Sequence, residues 1–155
     1  MFNNNLFMYI NNIPGDSKLI YALEILRQKI RTKLDSLFEP YGIDVFKFNF
    51  LMVLKSEYGR NTVTAENIKE SLLVVPEYIK KMGDELLLDG LINISKENGK
   101  NVLEITPKGL KLIDEVYDKY QALNSQIADV ISEKDKDILQ EKMLNWFVNI
   151  QQAEK

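Results

Sequence analysis

The sequence predicts a mostly α-helical fold with one small β-hairpin, a winged helix-turn-helix flanked by long terminal helices. Three observations carry this expectation. Leucine and isoleucine recur at helical spacing near both ends of the chain. Caps and prolines cut the middle into short helices. The stretch "INISKENGKNVLEI" at 92–105 switches to β-branched residues around Asn98-Gly99, a dipeptide that accepts positive φ at both positions and closes two-residue hairpins.

The elements follow in order. Leu19, Leu23, Leu26, Ile30, Leu34 and Leu37 form one apolar stripe, so a helix is expected from Ser17, as cap, to Phe38. Pro40 and Gly42 in "EPYG" end it. Asp44 is placed to cap a largely apolar helix, "VFKFNFLMVLKSE"; its length favours helix over strand. After a few extended residues, 61–63, Thr64 caps a short helix with Ala65, Ile68 and Leu72 inward. Pro76 at a first helical position and Glu77 beside it open a second helix, with Ile79, Met82, Leu86 and Leu87 facing in and Asp89-Gly90 as its stop. Gly83 inside that helix costs up to ~1 kcal/mol relative to Ala. The hairpin pairs 91–95 with 101–105. Thr106 and Pro107 then start a helix expected over 107–131, with Leu110, Ile113, Tyr117, Tyr120, Ile127 and Ile131 inward and Asn124 in the seam. Ser132 with Asp135 resembles a capping box before a last helix, 133–151, carrying Leu139, Met143, Trp146 and Ile150 on one face.

Composition excludes several functions. With neither Cys nor His, zinc clusters of the usual ligands, disulfides, thiol nucleophiles and imidazole acid–base chemistry are all absent. No nucleophile–base arrangement or Gly-rich phosphate loop is present, so no enzyme and no cofactor is expected. The carboxylate groups Asp84, Glu85, Asp89 and Asp114, Glu115, Asp118 read as solvated helix faces. The start "MFNNNLFMYINNIPGDS" lacks a basic leader and is broken by Asn. No stretch reaches the ~20 apolar residues of a membrane span, so a soluble protein is expected, and the lack of Cys fits a reducing, cytoplasmic location.

Helix–turn–helix followed by a hairpin is the order of a winged helix. The second helix of the pair enters the major groove, and the hairpin reaches the neighbouring backbone or minor groove. The candidate DNA-binding residues are therefore Glu77, Tyr78, Lys80 and Lys81 on the helix and Lys96, Asn98 and Lys100 on the wing. The net charge is -3, and residues 44–111 hold ten Lys or Arg against ten Asp or Glu, so any contact with phosphate is local.

The runs "VTAENIKESL", "DELLLDGLI", "ENGKNVLEITPKGLKLI" and "ISEKDKDILQEKMLNWF" resemble the MarR family of bacterial transcription regulators, from about Ser17 to Ile150. The most specific pieces are Gly90-Leu91-Ile92 and Ile105-Thr106-Pro107-Lys108-Gly109. The resemblance implies a homodimer joined through its terminal helices, a pseudo-palindromic double-stranded operator, and release by a small-molecule effector. The family's wing carries Asp-x-Arg where this chain has Asn98, Gly99 and Lys100; lysine cannot make the bidentate contact of arginine.

A single domain over 1–155 is expected, with 1–38 and 107–155 as the dimerisation part and 44–106 as the winged helix. The terminal stripes are too large for so small a core to cover. Leu19, Leu23, Leu26, Ile127, Ile131, Trp146 and Phe147 are the expected dimer contacts, to which Phe2–Ile13 adds. Tyr41, Phe46, Phe48 and Phe50 suit core packing better than an effector pocket. The alternative to a DNA-binding regulator is a winged-helix module whose reading helix binds protein, suggested by Val74, Val75, Glu77 and the neutral charge.

Overall fold

The computed structural model describes Met8, residues 11–72 and residues 76–153. The expected order of elements is found. Helix α1 (Gly15–Phe38) runs into a 3₁₀ turn, Glu39–Tyr41, which Gly42 closes at φ 69°. Helix α2 (Val45–Glu57) follows, then β1 (Val63–Thr64), α3 (Ala65–Leu72), α4 (Pro76–Leu88), β2 (Ile92–Glu97), β3 (Lys100–Ile105), α5 (Pro107–Ala128) and α6 (Glu133–Ala153). None of the described helices is long and apolar enough to cross a membrane.

Local chemistry accounts for the boundaries. The Asp44 carboxylate accepts from the Lys47 amide at 2.8 Å and caps α2. Thr64 and Asn67 cap α3 reciprocally, each backbone N–H donating to the other's side-chain oxygen, a capping box with Asn in place of Glu. Helix α4 ends in a Schellman arrangement. Gly90 sits at φ 69°, its N–H donates to the Leu87 carbonyl, and that of Leu91 donates to Leu86. The expected end residues differ in four places. Ser17 lies inside α1, whose N-cap is Pro14 with no side-chain bond. Ile131 lies beyond α5, in the turn where its N–H donates to Ala128. Helix α6 runs to Ala153. The hairpin is tighter than expected, with Glu97 paired to Lys100 across two residues only.

The three strands form an antiparallel sheet in the order β1-β3-β2. Its central strand β3 buries Val102 and Leu103, consecutive residues whose side chains point to opposite faces of the sheet. Phe38, Phe48, Phe50, Leu51, Ile68, Leu86, Ile92, Ile113 and Val116 are fully buried around it. Phe38 and Phe48 stack at 4.7 Å between centroids. Leu87, expected inside, is exposed, because α4 turns that side to solvent.

The chain divides into two compact units, Met1–Lys119 and Tyr120–Lys155. The first contains all the described buried residues. In the second no described residue is buried, and Asn124 is half-buried.

Candidate nucleic-acid interface

Helix periodicity sorts α4 into three sides. Ile79, Met82, Gly83 and Leu86 are buried. Glu77, Lys80, Lys81 and Asp84 form the opposite, solvent-facing side. Both lysines are partnered within the helix. Lys80 Nζ donates to Asp84 at 2.6 Å, and Lys81 Nζ lies 4.0 Å from Glu85. Each pair runs cation first, the weaker orientation for i,i+4 contacts. Exposed pairs of this kind are worth about 0.3–0.5 kcal/mol, so an incoming phosphate can exchange with the carboxylates at little cost. The i,i+4 spacing of Lys80 with Asp84 and of Lys81 with Glu85 is the sequence signal for these pairs.

Tyr78 belongs to neither side. It is half-buried on an edge of α4 and meets the Phe46 ring edge-on, with centroids 5.4 Å apart. Arg31 of α1 lies over that same Phe46 ring, its guanidinium carbon 4.6 Å from the centroid, and its Nε is 3.5 Å from Asp35. One residue on, Lys47 reaches Glu85 on the same edge of α4, at 2.7 Å. The hydrogen bond to Glu85 raises the Lys47 pKa above its ordinary value despite partial burial, and the same bond lowers that of Glu85. Nothing local in the sequence pairs residues 46 and 47 with 78 and 85.

The hairpin stands on a locked base. The Thr106 hydroxyl donates to the Gly90 carbonyl at 2.8 Å and accepts from the Gly109 amide at 3.1 Å. The Thr106 amide donates to Leu91, and Lys108 Nζ to the Asp89 carbonyl. Gly109 is required there, since a Cβ would lie 2.3 Å from the Leu91 oxygen. So the end of α4 and the start of α5 are stitched across the two feet of the hairpin. Residues 95–101 are all exposed. Asn98 at φ 51° and Gly99 at φ 79° make the turn, and the Lys96 and Lys100 side chains have no ion pair or hydrogen bond among the described residues.

The remaining candidates are distributed as follows. Leu19 and Leu26 on α1 and Ile131 and Phe147 in the second unit are exposed, while Leu23, Ile127 and Trp146 are half-buried. Phe2 lies outside the described residues, as do Val74 and Val75. Phe48 and Phe50 are buried in the core, and Tyr41 accepts a hydrogen bond from Lys119. On the other edge of α4 a cleft of about 250 Å³ is lined by Phe50, Ile79, Gly83, Ile94 and Leu103, among others. Among the described residues no group of His, Cys, Asp or Glu is placed to hold a metal.

No protein-family model matches the sequence, and no curated protein matches it. The fold is found in solved structures of MarR-family transcriptional regulators. AbsC from Streptomyces coelicolor superposes with a TM-score of 0.81 at 11% identity, over 90% of this chain and 98% of that one. The MepR–DNA complex of S. aureus gives 0.77 at 14% identity, over 88% and 96%. A mutant MarR from E. coli, complexed with operator DNA, gives 0.75 at 16% identity, over 82% and 91%.

Proposed function

We propose that this chain is a DNA-binding transcription regulator of MarR type that acts as a homodimer on a pseudo-palindromic site. Helix α4 enters the major groove with Lys80 and Lys81, and the hairpin tip brings Lys96, Asn98 and Lys100 to the flanking backbone or minor groove. The observation that carries this is the hairpin. Its base is fixed by three hydrogen bonds to residues 89–91, and its tip presents two lysine side chains with no partner among the described residues. A rigid mount for free cations beside a solvent-facing helix suits phosphate contact. The MepR and MarR structures, solved with DNA on the same fold, support the reading.

Dimerisation through 1–38 and 107–155 is supported by burial. No described residue after Val116 is buried, yet α6 carries Ile138, Leu139, Met143, Leu144, Phe147, Val148 and Ile150. A helix with no buried face is marginal in water, so a second copy is the cover we propose. Sedimentation at micromolar concentration should give twice the chain mass; a monomer rejects this part.

Selection from a random DNA pool tests the reading and should return a two-fold site. On that site Lys100→Ala should flatten the log–log salt slope by about 2, one counterion for each wing. A second reading, a module that binds protein, is favoured by the pairing of Lys80 and Lys81 with acids on their own helix. It predicts that no sequence is enriched.

A further inference from the structure

We infer that Tyr78 is a positioning residue rather than a base-reading one. Through Phe46 and Arg31 it ties the reading helix to α1 and so sets the separation of half-sites that the dimer accepts. The inference rests on the DNA-binding reading above and sharpens it.

The argument starts from direction. On α4 Tyr78 stands about 100° round the helix from Glu77, on the edge it shares with Glu85, seven residues on. That edge is half-buried against α2. The Tyr78 ring is engaged by Phe46, and its half-burial leaves it poorly aimed at a groove lying along the Lys80–Lys81 side. Phe46 in turn is covered by the Arg31 guanidinium, which Asp35 steadies from one turn further along α1. Three side chains from α1, α2 and α4 thus form one stack. The Lys47–Glu85 ion pair makes a second tie along the same edge. A single contact leaves a helix free to roll, whereas two ties seven residues apart fix its angle to α2. The Arg31 contact carries that angle to α1.

In a two-fold dimer the angle between α1 and α4 sets how far apart the two reading helices lie. Half-sites one helical turn apart, about 34–36 Å, tolerate little error, because each base pair of spacer also rotates the half-site. Loosening the stack therefore acts on spacing and leaves the bases read within a half-site unchanged.

The test uses the selected site with its spacer lengthened or shortened by one and two base pairs. Wild type should lose tenfold or more in affinity for each altered spacer. Tyr78→Ala and Arg31→Met should each cut that penalty to threefold or less, with the same base preference inside the half-site. Tyr78→Phe keeps the ring and should behave as wild type. Arg31→Met is the informative variant: Arg31 lies on α1, off the reading helix, so its effect on spacing does not come from a lost contact between α4 and DNA, and an unchanged dimer mass in sedimentation separates it from a weakened dimer. Variants that keep the wild-type spacing penalty overturn the inference, as does a changed base preference in Tyr78→Phe. If wild type enriches no DNA at all, the regulator reading itself falls, a result distinct from either of these.

Discussion

Residues 34–116 and the helical arms on either side contain similar kinds of side chain and treat them differently. Every described buried apolar residue lies between Leu34 and Val116. In the arms, residues 11–33 and 117–153, apolar side chains at equally regular helical spacing stay exposed or half-exposed. Hydrophobic periodicity therefore identifies a face that needs covering without saying what covers it. In the middle the cover is the sheet and the neighbouring helices. In the arms we propose that a second copy supplies it, and the uncovered faces are the physical basis of that proposal.

Truncating one leucine in each region should break the equivalence most sharply. Leu86→Ala, at a fully buried position, should destabilise by about 3 kcal/mol in urea unfolding at any protein concentration. Leu139→Ala should leave the central block within ~0.5 kcal/mol and show itself as weaker association in sedimentation. Equal losses at both positions would mean that α6 is packed within its own chain.

Two helical glycines sharpen the contrast inside the central block. At Gly109 a methyl group meets the Leu91 oxygen at 2.3 Å and Ile105 Cγ1 at 2.7 Å, so Gly109→Ala has to move the hairpin base. It should cost about 3 kcal/mol. At Gly83 the nearest atom to an added Cβ is Phe50 Cζ at 4.0 Å, an ordinary contact. Gly83 is not needed for close packing, and Gly83→Ala should stabilise by about 0.5–1 kcal/mol. Thermal unfolding of the two variants should shift in opposite directions.

Between these in size comes the Lys47–Glu85 tie. Glu85 is depressed below its ordinary 4.5, so its share of stability is present above that pH and is lost as pH falls through the lower folded value. Lys47 is raised above its ordinary 10.5, so its share is complete below that pH and is lost as pH rises through the higher folded value. Lys47→Met should therefore lower stability near neutrality, by an amount that screening at the half-exposed Glu85 keeps small. The cost should vanish in acid, where Glu85 is protonated. A cost that stays constant down to that range would assign it to lost packing instead.

The smallest expected effect is on the solvent side of α4. Asp84→Asn releases Lys80 and removes a negative charge from the face proposed to meet phosphate. Affinity for the selected DNA should rise roughly threefold, more at low salt than at high. Unchanged affinity would place Lys80 away from the backbone.

Much of this molecule is written in short-range chemistry. Asp44, Thr64, Ser132 and the Asn98-Gly99 turn act on backbone groups within a few residues, so their roles could be read directly. Even there, local reading misplaced details. Ser17 does not cap α1, and the Asp135 carboxylate accepts from the Ser132 hydroxyl rather than the backbone N–H a capping box would use. The solvent-facing lysines of α4 and the hairpin tip were equally legible, since exposure follows from periodicity and turn type.

Contacts between segments distant in the chain were not legible. The Arg31–Phe46–Tyr78 contacts, the Lys47–Glu85 pair and the stitching of residues 89–91 to 106–109 join positions 15 to 38 residues apart. Tyr78 looked like a candidate DNA contact because its residue type suits phosphate. In the sequence Gly109 is only the last residue of the Ile105–Gly109 run that carries the family resemblance. Propensity and spacing say which side of an element is apolar or polar. Which partner stands opposite depends on how the elements pack, and in this chain that packing turned a tyrosine of α4 toward α2 and made one glycine indispensable while leaving another replaceable.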